Sequence, residues 1–217
     1  MASPFPEGNT PEQADFPWKS LQKINDILLN AGIKLAAGSA LGASEEHIGN
    51  VGGSSAVASG SVVRPANTTA YAAGQVVNSG AVITPTFRFP NVARKNGGTG
   101  IIISATLVDF ANQSTLLSAP ELWIFSASFT GNNDGASWTP SAADLANLIA
   151  VIPLSNSFVG NAASGASGNV TFTAAELSRA FKCGAASESL FGALVVRNAY
   201  TPVASEQFTA LLGVIQD

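Results

Sequence analysis

Ile101-Ile102-Ile103-Ser104-Ala105-Thr106-Leu107-Val108-Asp109-Phe110 reads as one β-strand. Ile103, Ala105, Leu107 and Asp109 fall on one side of a period-two pattern, and Ile102, Ser104, Thr106 and Val108 on the other. Only one side is consistently apolar, as expected of an antiparallel sheet with a single face on a core. Leu194-Val195-Val196 is instead a continuous apolar run, which fits a central strand covered on both faces. Further strands are expected over Leu122–Phe125, Asn169–Phe172, Phe191–Arg197 and Gln207–Ile215. Weaker ones fall at Gln75–Val77, Thr86–Phe89 and Ala180–Cys183. About eight short runs punctuated by Gly, Pro and Asn imply a mainly β fold, a two-sheet antiparallel sandwich of jelly-roll-like type. Asn96-Gly97-Gly98 offers positive-φ positions for a hairpin turn before the Ile101 strand. Arg197, near the end of a buried strand, needs a carboxylate or several carbonyls, and Asp109 is the expected partner.

One helix is expected among the strands, capped by Thr139 with Pro140 in its first turn. Leu145, Leu148 and Ile149 form its apolar stripe, and Pro153 ends it. Thr173-Ala174-Ala175-Glu176 matches a capping box, although a strand continuing through Leu177 fits as well.

Upstream of the body the character changes. Asp15 is a suitable N-cap, Pro17 sits in the first turn, and Gly32 suits a C′ position. Between them Trp18, Leu21, Ile24, Leu28 and Ala31 form a short heptad-like seam, so these five are candidate partner-binding residues. A lone helix of this length is marginal in water and must dock. Ala36–Ser61 is rich in Gly, Ala and Ser, the composition of a flexible linker. The expected organisation is an arm with an amphipathic helix over 1–35, a tether over 36–61 and a β-sandwich domain over 62–217.

Composition narrows the function. Charged residues make up 11% of the 217 residues, well under the usual quarter, and the net charge is -4. A weakly charged, Ser/Thr/Asn-rich surface suits a dense assembly. An acidic chain whose one adjacent basic pair is Arg94-Lys95 does not suit nucleic acid. No charged-then-apolar leader opens Met1–Thr10, and Leu145–Leu154 is too short to span a bilayer. A protein made in a cytoplasm, off the membrane, is expected. Cys183 is the single cysteine and His47 the single histidine, so neither a disulfide, a multi-cysteine metal site nor a Ser-His-Asp triad is expected. Asp109, Glu121, Asp134, Asp144, Glu176, Glu188 and Glu206 show no spacing that selects a catalytic pair. Gly131-Asn132-Asn133-Asp134-Gly135 lacks the spaced ligands of a calcium loop and reads as a tight turn. No enzymatic activity, cofactor or metal is expected. Trp123 falls among apolar neighbours and reads as core, whereas Trp138, in a Gly/Ser/Thr loop, is the candidate exposed contact.

Several phrases then carry a resemblance. Arg64-Pro65-Ala66-Asn67-Thr68-Thr69-Ala70-Tyr71-Ala72-Ala73-Gly74-Gln75-Val76-Val77 looks like the opening of a β module of tailed-bacteriophage structural proteins. Gly97-Gly98-Thr99-Gly100-Ile101, Ala111-Asn112-Gln113-Ser114, Leu122-Trp123-Ile124-Phe125 and Val195-Val196-Arg197-Asn198-Ala199-Tyr200-Thr201-Pro202 continue it in the same order. Asp15–Leu29 separately resembles short N-terminal segments that precede virion-attached phage proteins. The resemblance implies a virion location and a capsid decoration or cement protein, homo-oligomeric and taken as a trimer, with capsid or tail proteins as partners. The alternative it implies is a tail, collar or fibre-associated protein that touches a host glycan. It carries over no active-site residue.

Overall fold

The computed structural model describes residues 53–80, 84–111, 119–159 and 169–217, together with Lys23. The chain divides into two compact units, Met1–Asn50 and Val51–Asp217. The expected helix over Asp15–Ala31, with Trp18, Leu21, Ile24, Leu28 and Ala31, lies outside the described residues except for Lys23, which is helical and exposed.

The second unit is mainly β. Its strands are β1 (Ser54–Val63), β2 (Val76–Val77), β3 (Phe87–Phe89), β4 (Thr99–Asp109), β5 (Glu121–Phe125), β6 (Leu148–Pro153), β7 (Asn156–Val159), β8 (Val170–Ala174), β9 (Arg179–Lys182), β10 (Leu190–Val195) and β11 (Gln207–Gln216). A larger sheet runs β1-β11-β4-β8-β7, with β9 continuing the β8 side of β4. A smaller one runs β2-β10-β5-β6, with β3 also on β10. Every pairing is antiparallel. One apolar core joins them: Ile102, Leu107, Phe172, Phe208 and Leu212 of the larger sheet cluster with Phe87, Phe89, Leu122, Ile124 and Leu194 of the smaller. The Cys183 thiol is buried at its margin, and burial, then Glu188, pushes its pKa up to about 11.

β10 is the doubly covered strand that its apolar run implies, with Ala193, Leu194 and Val195 all inaccessible. β4 is a strand, but its phase differs from the simple alternation. Ile102, Ala105, Leu107 and Asp109 face inward, whereas Ile101 and Ile103 are exposed. The register against β11 steps from Ser104↔Gly213 to Ile102↔Val214, leaving Ile103 as the extra residue of a β-bulge. The bulged Ile103 carbonyl accepts the Leu177 N–H at 3.0 Å. Gly213 accommodates the crowding, since a Cβ there would meet Ser104 Oγ at 2.3 Å.

Four other expectations are corrected. Ser54–Ser61, assigned by composition to the tether, belongs to β1, which pairs with β11 without a break over its whole length. Small residues are needed there because β3 passes close beneath: a Cβ on Gly60 would meet the Arg88 carbonyl oxygen at 2.8 Å. The helix expected up to Pro153 is one turn, α1 (Ala142–Leu145), capped by Ser141 rather than Thr139 in a reciprocal box with Asp144. Leu148–Pro153 is β6 instead, paired along β5, where its two Ile and one Val, β-branched and stiff, suit a strand better than a helix. Gly97 has φ of 69°, as its turn requires, but the turn joins strands of different sheets and closes no hairpin. Glu176, with φ of 56°, ends β8 instead of opening a helix.

Gly60→Val should lower stability by about 1–3 kcal/mol, because β1 must lift off β3 to make room. Urea unfolding measures this, and an unchanged midpoint would show that the β1–β3 approach does not matter.

Candidate functional site

The chemistry-bearing side chains gather in two places, a buried polar cluster and the solvent side of the larger sheet. The cluster forms where β1 ends. Arg64 continues the β1–β11 ladder, donating its N–H to the Glu206 carbonyl at 2.9 Å, and its side chain turns inward. There the guanidinium pairs with Asp134 at 3.1 Å and donates to the Val203 carbonyl at 3.2 Å and to the Tyr71 hydroxyl. The Tyr71 hydroxyl in turn donates to Asp134, whose Oδ1 also accepts the Asn78 N–H at 2.9 Å. Asp134 reaches this position from the Gly131–Gly135 turn, closed by the Ala136 N–H on the Asn133 carbonyl at 3.0 Å. The turn was legible as a turn, but its inward carboxylate was not.

Tyr71 stacks on Tyr200, with ring centroids 5.2 Å apart and planes 10° from parallel. The Tyr200 hydroxyl donates to Glu206 Oε2 at 3.4 Å. Both phenols are held above their usual range, Tyr71 by burial and then Asp134, Tyr200 by burial and then Glu206. Glu206 lies against Asp109, and the two carboxyls are 2% and 0% exposed. Asp109 Oδ1 accepts the Ala111 N–H at 2.8 Å, while Oδ2 has no donor if both acids are ionised. Two carboxyls buried side by side repel when both are charged, so the site favours a proton on the pair. Burial, then the Asp109 charge, pushes Glu206 up to about 8, and burial raises Asp109 as well. With both residues buried, the ionisation of this carboxyl pair is coupled to folding.

Asp109 is thus not the partner of Arg197. Arg197 is part-exposed and pairs with Glu121 at 2.5 Å, and Glu121 also accepts the Trp123 indole N–H at 3.1 Å. Trp138, the candidate exposed contact, is half-buried. It meets Trp123, Phe125 and Phe129 edge-on at centroid distances of 5.9, 6.1 and 5.6 Å. The segment carrying it folds over the outer side of the smaller sheet, held by Trp138 N–H to the Gly74 carbonyl at 2.8 Å and Val76 N–H to the Ala136 carbonyl at 3.0 Å. The fold brings Trp123 and Trp138 together, as an edge-on pair within a covered cluster instead of a flat open platform.

The solvent side of the larger sheet is the contrasting surface. Ser55, Val57, Ser59, Ser61 and Val63 of β1, Gln207, Thr209, Leu211 and Ile215 of β11, Thr106 and Val108 of β4 and Thr171 and Thr173 of β8 point outward. No outward position of these four strands holds Asp, Glu, Lys or Arg. Apolar side chains stand in water there: Val57 is 71% exposed, and Phe158 on neighbouring β7 is 64% exposed. Ser61 and Thr209 bond across strands at 2.7 Å, so even the polar groups partly satisfy one another. Among the described residues no group of three His, Cys, Asp or Glu is placed to hold a metal ion, and no helix is long and apolar enough to cross a membrane.

Neither a protein-family model nor a curated protein matches this sequence.

Two outcomes follow from the cluster. Folded Glu206 keeps its proton to about pH 8, whereas in the unfolded chain it ionises near 4.5. Unfolding between those values releases a proton, so stability falls as pH rises through the window and levels off above it. The slope should approach one proton's worth, about 1.4 kcal/mol per pH unit, and Glu206→Gln should flatten it. Denaturation midpoints across that window are the measurement, and a slope shared by wild type and variant would refute the assignment. Asp134→Ala should cost about 3–5 kcal/mol, because it strands a buried guanidinium. A loss below about 1 kcal/mol would mean that Arg64 finds water or another acceptor.

Proposed function

We propose that this chain is a non-enzymatic structural component of a tailed-bacteriophage virion, a capsid decoration or cement protein that binds the shell through its β body and its N-terminal arm. The observation that carries this reading is the uncharged outer face that β1, β11, β4 and β8 form in the larger sheet, exposed charge returning at Arg179 and Lys182 of β9. A monomer living free in solution normally breaks up such a surface with charge, whereas a face destined for contact has no reason to carry Lys or Glu. The strand order supports the same reading. β1-β11-β4-β8 facing β3-β10-β5-β6 is the arrangement of a jelly roll, in which successive strands cross between two sheets, a fold common in viral shells. The buried lock of Arg64, Tyr71 and Asp134 gives a rigid body suited to display.

The helix seam of Trp18, Leu21, Ile24, Leu28 and Ala31 supplies the second grip, and a trimer is the copy number taken for it. Two weak contacts on one chain reinforce each other, since the first holds the second at high local concentration. Partners are capsid proteins; a tail location is the other outcome of the same experiment.

Quantitative mass spectrometry of purified particles tests the placement. Hundreds of copies per particle are expected of a shell component, and a few dozen or fewer would move the protein to the tail. Leu21→Asp with Leu28→Asp should release it from particles while leaving the circular dichroism of the β body unchanged. Full retention of that variant would reject the anchoring role of the seam.

A further inference from the structure

We propose that the open edge of β1 is a self-association site, where β1 of a second copy of this chain adds antiparallel and continues the larger sheet across a two-fold axis.

The backbone states which groups are available. The Arg64 N–H bonds to the Glu206 carbonyl in the same register that pairs β1 with β11, so even-numbered residues of β1 turn their N–H and C=O toward β11. Odd-numbered residues, Ser55, Val57, Ser59, Ser61 and Val63, turn theirs the other way. Among the described residues β1 pairs with β11 alone, so this second row has no strand beside it. An alternating row of donors and acceptors on an extended chain is complementary to another extended chain.

Three devices that normally protect an edge are missing from β1 itself. β1 carries no charged residue and no proline, and its register with β11 has no bulge. The nearest proline, Pro65, follows β1 and lies outside it. Ten residues is also long for an edge strand.

The occupant is argued from symmetry and charge. A two-fold axis through Ser59 sets Ser59 opposite its own copy, Val57 opposite Ser61 and Ser55 opposite Val63. All are odd-numbered, so all lie in hydrogen-bonded pairs, and five pairs exchanging two bonds each give about ten. The facing side chains are Ser and Val, which neither clash nor repel, although the whole chain carries a net charge of -4. Joining here also extends the uncharged outer face without a step. A cleft of about 500 Å³ beside Ser61, Val63, Thr84 and Thr86 leaves room for the partner strand's first residues. This is an isologous contact. It is separate from the N-terminal seam and holds whether or not the chain belongs to a virion.

The test uses the full chain and two substitutions on the open row, Ser59→Pro and Val57→Lys. Proline is tolerated on an edge strand where its missing N–H faces solvent, so Ser59→Pro leaves the β1–β11 ladder whole. Light scattering across a dilution series should give the wild type twice the mass of either variant, with all three melting alike once dissociated. Amide exchange in the wild type should show Val57, Ser59 and Ser61 protected at high concentration and exposed on dilution. Equal masses for wild type and both variants would overturn the proposal. So would concentration-independent protection of those amides together with a lowered melting temperature for Ser59→Pro, which would mean that another part of the same chain already covers the edge.

Discussion

Arg64 organises more of this molecule than its single charge suggests. A guanidinium taken out of water must have its charge matched and its N–H groups accepted, or the fold loses several kcal/mol. Here the acceptors come from distant segments: Asp134 from the excursion between β5 and α1, Val203 from the approach to β11, and Tyr71 from the loop before β2. The demand of one side chain thereby ties the exit of β1 to both sheets. Tyr71 then stacks on Tyr200, and Tyr200 leads to Glu206 and Asp109, so the polar chain runs on into the centre of the larger sheet. Buried networks of this kind specify one arrangement because each member is satisfied only when the rest are in place.

The two sheets treat their outer faces differently. The smaller sheet is covered by its own excursion, whose Phe129 and Trp138 close over Phe125, Val76 and Ala193. That cover is why β10 is apolar on both sides and why its run of Leu194-Val195-Val196 has no alternation. The larger sheet has no such cover among the described residues, yet the outward positions of β1, β11, β4 and β8 hold no charge, which returns at Arg179 and Lys182 of β9. Ser and Thr keep the face wettable, and Val57, Ile103 and Phe158 give it adhesive area. Its edge strand β1 repeats the composition, so face and edge present one continuous uncharged surface. The low proportion of charged residues therefore has a spatial side: charge is absent from the outward positions of β1, β11, β4 and β8.

Strands with strong local signals were legible from their residues. β4, β5, β10 and β11 combine β-branched and aromatic side chains with turn signals on either side, and each lies within a residue or two of its expected place. β1 was not legible, because Ser-Ser-Ala-Val-Ala-Ser-Gly-Ser is also what a linker looks like. What makes it a strand is ten consecutive partners on β11 and the closeness of β3, which only small residues permit. β6 was hidden by the opposite ambiguity, since Leu148 and Ile149 follow a genuine capping signal at Ser141–Asp144 and extend its apparent stripe. The polar cluster was the least legible feature: Arg64, Asp109, Asp134 and Glu206 lie far apart along the chain. A buried strand ending in Asp109 was the one available hint that a carboxyl had gone inside.

By itself the sequence determined that the body is β, that one strand is buried on both sides, and that little charge is available for the surface. These are properties of short-range pattern and composition, and each residue carries its share locally. Tertiary structure alone decided that Ile103 and not Ile102 faces water, that Asp134 serves Arg64, that Asp109 lies buried against Glu206, and that Trp138 roofs a cluster. Each of those outcomes depends on which strand lies alongside which. Register and burial are settled by the sum of many weak contacts across the sheets, and no window of neighbouring residues contains that sum.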